Sequence, residues 1–189
     1  MAASGDALVI FGLFGKRAKR LAPVEALLAR VADASRQPGL YIAGGIPDTF
    51  EGRFESLTLH AFLILRRLRE LPAPAGDLAQ DFVDACFAYL ELGFRQGGIS
   101  DIAVPKRMKK IGQSFYGRIK AYESALAVPG PGALAEALRR NVSPGEGATA
   151  LADYVGQAQE RLSQLDLDAI LGQESLFPAF PVHESTPSD

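Results

Sequence analysis

Residues 41–71, YIAGGIPDTFEGRFESLTLHAFLILRRLREL, decide the fold of this chain. They begin with a turn rich in Gly and Pro, in which Asp48 or Thr49 can serve as a helix N-cap. The residues that follow predict a long helix that is apolar on nearly every side, which is typical of a buried helix. Its longest apolar run, residues 57–65, falls short of the roughly 20 residues needed to span a bilayer. The stretch therefore predicts a central buried helix in a globular protein.

One line of polar side chains interrupts this helix. Arg53, Ser56, His60 and Arg67 are separated by three, four and seven residues, so they share one helical face. Charged groups on a buried helix must be paired internally or line a cleft. Two interpretations remain open. The line is either an internal polar network, or a pocket formed by Arg53, His60 and Arg67 that binds a small ligand or serves an enzyme.

Helical periodicity continues through the rest of the chain, and no segment alternates as a β-strand does. Pro- and Gly-rich breaks separate the helices. Five further helices are predicted, around residues 24–31, 77–95, 105–127, 133–140 and 151–162. The helix at 77–95 carries apolar side chains on most of its surface and is expected to be the second buried helix. The predicted fold class is therefore all-α, a single compact domain of about six helices with two largely buried central helices.

The chain has 189 residues, which suits one domain with a sizeable core. We expect residues 21–173 to form this domain and residues 174–189, which contain Pro and Ser, to form a flexible tail. Residues 1–20 combine an apolar run with clustered Lys and Arg. Such a segment either packs on the body or lies on an anionic membrane surface. Its charges follow the apolar run, which is the reverse of a secretory signal peptide.

Composition argues against several classes of protein. A formal net charge of −2 gives no overall attraction to nucleic acid, and no DNA partner is expected. The single cysteine, Cys86, cannot form an intramolecular disulfide or a cysteine-based zinc site, and it favours a reducing, cytoplasmic compartment. His60 and His183 lack the spacing of paired metal ligands, so no metal site is predicted. Without a P-loop, a dinucleotide fingerprint or a nucleophile motif, neither an enzyme nor a cofactor is predicted.

A cluster of four cations begins the helix that Pro105 opens: Lys106, Arg107, Lys109 and Lys110. We call these four residues the basic cluster. The helix dipole favours anions at this end, so the cluster is unusual without a partner. The partner is either an acidic side chain of the protein itself, such as Asp101 or the acidic stripe on the preceding helix (Asp77, Asp81, Asp84 and Glu91), or an external anion. External candidates are RNA phosphate, lipid headgroups and an acidic protein surface.

Further along the same helix, Tyr116 and Arg118 point away from its predicted inner face. They are candidates for a contact surface together with the basic cluster. Gly117 lies between them, and a glycine inside a helix costs about 1 kcal/mol relative to alanine. We interpret this glycine as a point where another helix or a bound segment approaches closely.

Three groups of residues resemble the ubiquinol-cytochrome c chaperone family. The first comprises GIPDT at 45–49, GRFE at 52–55 and LHAFLILRRL at 59–68. The second is Asp101 with VPKRMK at 104–109, and the third is FYGR at 115–118 with AY at 121–122 and LRRNV at 138–142. They follow one another in the family's order over about residues 41–142. The short form, without a long leader, resembles the bacterial branch of the family.

This resemblance implies a function. Mitochondrial members of the family are assembly factors of the cytochrome bc1 complex, respiratory chain complex III, and are not known as enzymes. They bind newly made cytochrome b, with a small partner protein, near the ribosomal tunnel exit. By resemblance, the client of this chain is cytochrome b or a similar membrane subunit. The ribosome and the membrane surface are further candidate partners. The implied location is the cytoplasm, with peripheral attachment to the inner face of the cytoplasmic membrane as an alternative.

A protein that holds apolar client segments needs a concave apolar surface with a polar edge. We therefore expect a groove beside the start of the basic helix. The predicted partner-binding residues are Lys106, Arg107, Lys109, Lys110, Tyr116 and Arg118.

Overall fold

The structure is a computed structural model that describes residues 21–97, 100–173 and 175–181. All regular structure in these ranges is helical. The helices are α1 (21–34), α2 (Pro38–Ile42), α3 (Phe50–Glu70), α4 (Ala75–Gln96), α5 (Val104–Leu126), α6 (Gly132–Asn141), α7 (Gly147–Ser163) and α8 (Leu167–Gly172). The predicted all-α fold is confirmed, and the six predicted helices correspond to α1 and α3–α7. The sequence does not predict α2 and α8, because so few residues cannot display a helical period.

The central element of the fold is α3. Its N-cap is Thr49, whose hydroxyl accepts a hydrogen bond from the Gly52 N–H at 3.1 Å. Fourteen of its 21 residues are buried, because α4, α5 and α7 pack around it. A narrower face of α4 is buried, and Leu92 on that helix is exposed. No helix in the described ranges combines the length and the apolar character that a membrane crossing requires.

The turn before α3 packs closely against the start of α7. A Cβ atom added to Gly147 would lie 2.3 Å from the Gly44 carbonyl oxygen, and one added to Gly52 would lie 1.9 Å from that of Pro47. Both distances are far below van der Waals contact, so only glycine fits. Around Gly117, by contrast, an added Cβ would have no neighbour within 4 Å among the described residues. The interpretation of Gly117 as a close contact between helices is therefore wrong.

Residues 175–181 form a strap across α1 and α2. The three apolar side chains Leu176, Phe177 and Phe180 are at most 4% exposed. Gln37 holds the strap at two points: its Nε2 donates to the Pro178 carbonyl at 3.2 Å, and its Oε1 accepts from the Phe180 N–H at 2.8 Å. The packed body therefore extends beyond residue 173, and the predicted boundary of the flexible tail lies too early. Residues 1–20 and 182–189, which include the predicted amino-terminal segment, lie outside the described residues.

Candidate functional site

The polar line on α3 contains a histidine that is fully enclosed. His60 has no exposed surface, and its Nδ1 donates to the Ser56 carbonyl while its Nε2 accepts from the Tyr154 hydroxyl, both at 2.8 Å. A carbonyl oxygen can only accept, which assigns the ring proton to Nδ1. The ring of Phe177 covers the imidazole edge-on, with centroids 4.8 Å apart. Burial lowers the pKa of His60 to about 4, so the side chain is neutral near pH 7.

Two further members of the line bind backbone groups of other segments. Ser56 Oγ donates to the Ser35 carbonyl at 2.8 Å and so connects α3 to the end of α1. Arg67 donates to the Leu165 carbonyl from Nε at 3.1 Å and from Nη2 at 2.9 Å. These carbonyl groups lie just beyond the ends of helices, where acceptors lack partners within the helix, and that of Ser35 also accepts from the Tyr41 hydroxyl at 2.8 Å. Both side chains therefore fasten α3 to its neighbours.

Arg53 lies in a different environment from the other three residues of the line. It is exposed and its Nε lies 2.7 Å from an oxygen of Asp48, in the turn before α3. Arg53 and Arg67 border different hollows on the surface, and His60 lies in the core between helices. The structure does not bring these three side chains into one pocket. It supports the interpretation of the line as a set of internal contacts over that of a ligand pocket.

The basic cluster is exposed at the start of α5. None of its four side chains forms an ion pair with a carboxylate of the described residues. Asp101, the predicted internal partner, pairs with Arg95 instead. The hypothesis that Asp101 neutralises the cluster is therefore wrong. Four positive charges at one helix end remain available to an external anion.

A groove of about 470 Å³ opens beside the basic cluster, between the first turns of α3 and α5 and the end of α4. Its floor is apolar and consists of Phe50, Phe54, Phe94, Ala103 and Ile111. Its edge is polar and consists of Glu51, Glu55, Lys106, Arg107, Lys110 and Ser114. The Arg107 guanidinium lies 5.9 Å from the centroid of the Phe94 ring, a cation–π geometry. The fold thus has an apolar groove with a cationic edge beside the start of the basic helix.

Glu55, one of the residues that line this groove, forms an ion pair between α3 and α5. Nε and Nη2 of Arg118 each lie 2.8 Å from a different carboxylate oxygen of Glu55, which is only 9% exposed. The hydrogen bonds to Glu55 raise the pKa of Arg118. A carboxylate so far removed from water needs a partner of this kind. Arg118 therefore positions the carboxylate of Glu55, and its direct contact with a partner stays a prediction.

The other predicted residues lie near the groove without lining it. Tyr116 is 56% exposed, and its ring centroid lies 6.1 Å from that of Phe87 and 5.6 Å from that of Phe115. Lys109 is exposed on the same helix, and neither Lys109 nor Tyr116 is among the residues that line the groove. Their role in binding a partner stays a prediction.

Sequence reasoning misses the aromatic floor of the groove. Phe50 and Phe94 come from different helices, and their ring centroids are 5.0 Å apart. In the sequence both residues resemble ordinary core positions. One signal is available for Phe50: it directly follows the N-cap Thr49, and a side chain in the first turn has few neighbours along its own helix.

A family model described as "Ubiquinol-cytochrome C chaperone" matches residues 43–177. The chain belongs to this family. The matched range includes α3, α4 and α5, which form the groove. Among solved structures, the crystal structure of the Cbp3 homolog from Brucella abortus is similar, with 36% sequence identity and a TM-score of 0.76. The similarity covers 90% of this chain and 97% of that chain. The search of curated proteins gave no match.

Proposed function

We propose that this protein is a non-enzymatic assembly chaperone that binds newly made cytochrome b, or a similar membrane subunit, of the bc1 complex. Membership of the ubiquinol-cytochrome c chaperone family supports a role in bc1 assembly. The observation that carries the proposal is the apolar groove with three cations on its edge. A membrane subunit that has not yet been assembled exposes apolar segments to water, and such a groove shields them.

The size of the groove limits how much of the client it can hold. About 470 Å³ lies within the range of small-molecule pockets, roughly 300–1,000 Å³. A membrane-spanning helix of about 20 residues is far larger than this. The chaperone therefore contacts a short segment of its client rather than enclosing a whole helix.

The environment of His60 argues against a catalytic role for this residue. Both ring nitrogens are engaged by Ser56 and Tyr154, and the ring has no exposed surface. A general acid or base must lie within hydrogen-bond reach of its substrate. His60 cannot meet this requirement in the folded protein.

The proposed place of action is the cytoplasm. A subunit that enters the membrane during its synthesis would bring the chaperone to the inner face of the cytoplasmic membrane. The ribosome and the membrane surface are therefore proposed as secondary partners of the basic cluster. Both are anionic, which matches the sign of Lys106, Arg107, Lys109 and Lys110.

Site-specific crosslinking in cells tests the client and the surface together. A photoreactive amino acid at position 110 should capture cytochrome b. The same group at Lys120, an exposed cation further along α5, serves as the matched control and should not. A strain that lacks the protein should contain less cytochrome b and less assembled bc1 complex. Normal levels of both in that strain would refute the proposal.

A further inference from the structure

The groove beside the basic cluster continues past the start of α3. A second hollow of about 290 Å³ lies on the other side of Phe50 and Phe54, which line both. A third hollow of about 330 Å³ follows, and it shares Arg36 and Arg53 with the second. Because neighbouring hollows share lining residues, the three lie side by side on the surface. We call the three together the α3 channel.

Large apolar side chains are exposed along this channel at three points. Ile42 in the third hollow is 68% exposed, Leu92 in the second is 53% exposed, and Phe50 between the second hollow and the groove is 45% exposed. Single exposed apolar residues are common on protein surfaces, but a contiguous series bordered by polar groups is typical of an interaction site. Each hollow is large enough for an apolar side chain of a segment that lies across all three.

Charge is distributed unevenly along the channel. At the α2 end, Arg53 is neutralised by Asp48, and Arg36 lies 4.0 Å from Asp33. The channel is therefore close to neutral where it passes Ile42.

At the α5 end, Lys106, Arg107 and Lys110 have no carboxylate partner among the described residues. Two acidic residues line the groove at this end. Glu55 is already paired with Arg118, which leaves Glu51. This end of the channel carries a surplus of positive charge, which attracts carboxylates.

We propose that the α3 channel binds a partner polypeptide segment whose apolar side chains are followed by carboxylates, with the carboxylates at the α5 end. This inference rests on the proposed function, because it names the chemistry of the client segment that the groove accepts. An anionic bilayer matches the charge as well. It presents a flat surface, however, whereas hollows on either side of Phe50 accept individual side chains. The concave shape favours the polypeptide.

Direct binding to the full-length protein tests this inference. The probe is a fluorescent amphipathic peptide of about 16 residues, roughly four helical turns, with Leu and Phe on one face and Glu at one end. Its counterpart carries Lys in place of Glu. We expect the Glu peptide to bind at least about tenfold more tightly than the Lys peptide. Vesicles that contain phosphatidylglycerol form a separate arm of the experiment.

Three variants assign the binding to the channel. The double variant Lys106→Glu/Lys110→Glu should reverse the preference so that the Lys peptide binds more tightly. Leu92→Ser should weaken both peptides, since it removes an apolar contact from the second hollow. The matched control Lys120→Glu changes the charge on the same helix outside the channel and should leave the affinity unchanged. Thermal unfolding of each variant checks that the fold is retained.

The outcomes separate this inference from the function on which it rests. If neither peptide binds, or if the double variant does not reverse the preference, the channel inference is wrong. If only the anionic vesicles bind, and the double variant abolishes that binding, the surface is a membrane site instead. Capture of cytochrome b at position 110 without any peptide preference would leave the client proposal standing and overturn the segment chemistry. The opposite combination is also informative. If the peptides bind as expected but a strain without the protein has normal bc1 levels, the segment chemistry stands and the client proposal is overturned.

Discussion

Protonation of His60 should control the acid stability of this protein. The imidazole is neutral in the fold because it has no exposed surface and its Nε2 accepts the Tyr154 hydroxyl. Burial lowers its pKa to about 4, whereas an unfolded chain has the ordinary value of 6.5. Between these two values the unfolded state binds a proton that the folded state does not. His60 therefore leaves the free energy of unfolding unchanged above pH 6.5 and lowers it as the pH falls from 6.5 to 4. Below pH 4 its effect no longer depends on pH.

The size of the effect follows from the difference between the two pKa values. Each unit is worth 1.36 kcal/mol, so His60 should cost the protein about 3 kcal/mol between pH 7 and pH 4. This is a large fraction of the roughly 5–15 kcal/mol that stabilises a typical domain. The perturbation is His60→Gln, which retains a polar side chain without a titrating group. The variant will be less stable near pH 7, but its remaining pH dependence comes from other residues alone.

Urea denaturation of both proteins at a series of pH values between 7 and 4 is the assay. Carboxylates titrate in this range too, but they contribute equally to the two proteins and cancel in the difference. We expect the stability advantage of the wild type to shrink by about 3 kcal/mol as the pH falls. Parallel curves for the two proteins would refute the assignment of His60 as a buried neutral group.

Further substitutions test the packing of the fold at three places, and the change in unfolding free energy is measured for each by urea denaturation. Gly52→Ala places a Cβ 1.9 Å from a carbonyl oxygen of the preceding turn and should cost about 1–3 kcal/mol, whereas Gly156→Ala on an open face of α7 should add about 0.5–1 kcal/mol. Equal effects would contradict the close approach. Phe180→Ala should cost about 3–5 kcal/mol because the ring is buried in the strap, and no loss would show that the strap is mobile. Arg118→Gln should cost about 2 kcal/mol by leaving the carboxylate of Glu55 without its partner, and adding Glu55→Gln should recover part of that loss. No recovery would indicate that Arg118 contributes through packing.

The helices that the sequence predicts are those with enough residues to display a period. In α3 the N-cap Thr49 marks the start of the helix, and the apolar positions that follow indicate its burial. Both features can therefore be predicted from neighbouring residues in the sequence. The strap is different. Its apolar residues lie among prolines and show no period, and its fixed position depends on Gln37, whose partner Phe180 is 143 residues away.

The same distinction applies to the polar residues. The spacing of His60 shows that it lies on a buried face, but its partner Tyr154 comes from α7, 94 residues further along the chain. The sequence therefore cannot decide between a network and a pocket. The basic cluster can be recognised directly, because four cations at the start of a helix oppose its dipole. The aromatic floor beside it cannot, because contacts between α3 and α4 create it.

The continuity of α3 has a consequence for how the protein responds to a client. Phe54, in the floor of the groove, belongs to the same uninterrupted helix as Leu59 and Phe62, which have no exposed surface. An occupant that orders the first turns should therefore suppress opening of backbone amides deep in the interior, since anything bound only to the native state stabilises it throughout a cooperative unit. Hydrogen exchange would then slow along the whole helix, several turns away from the site of contact. The exchange rates of buried amides in α3 would therefore report whether the groove is occupied.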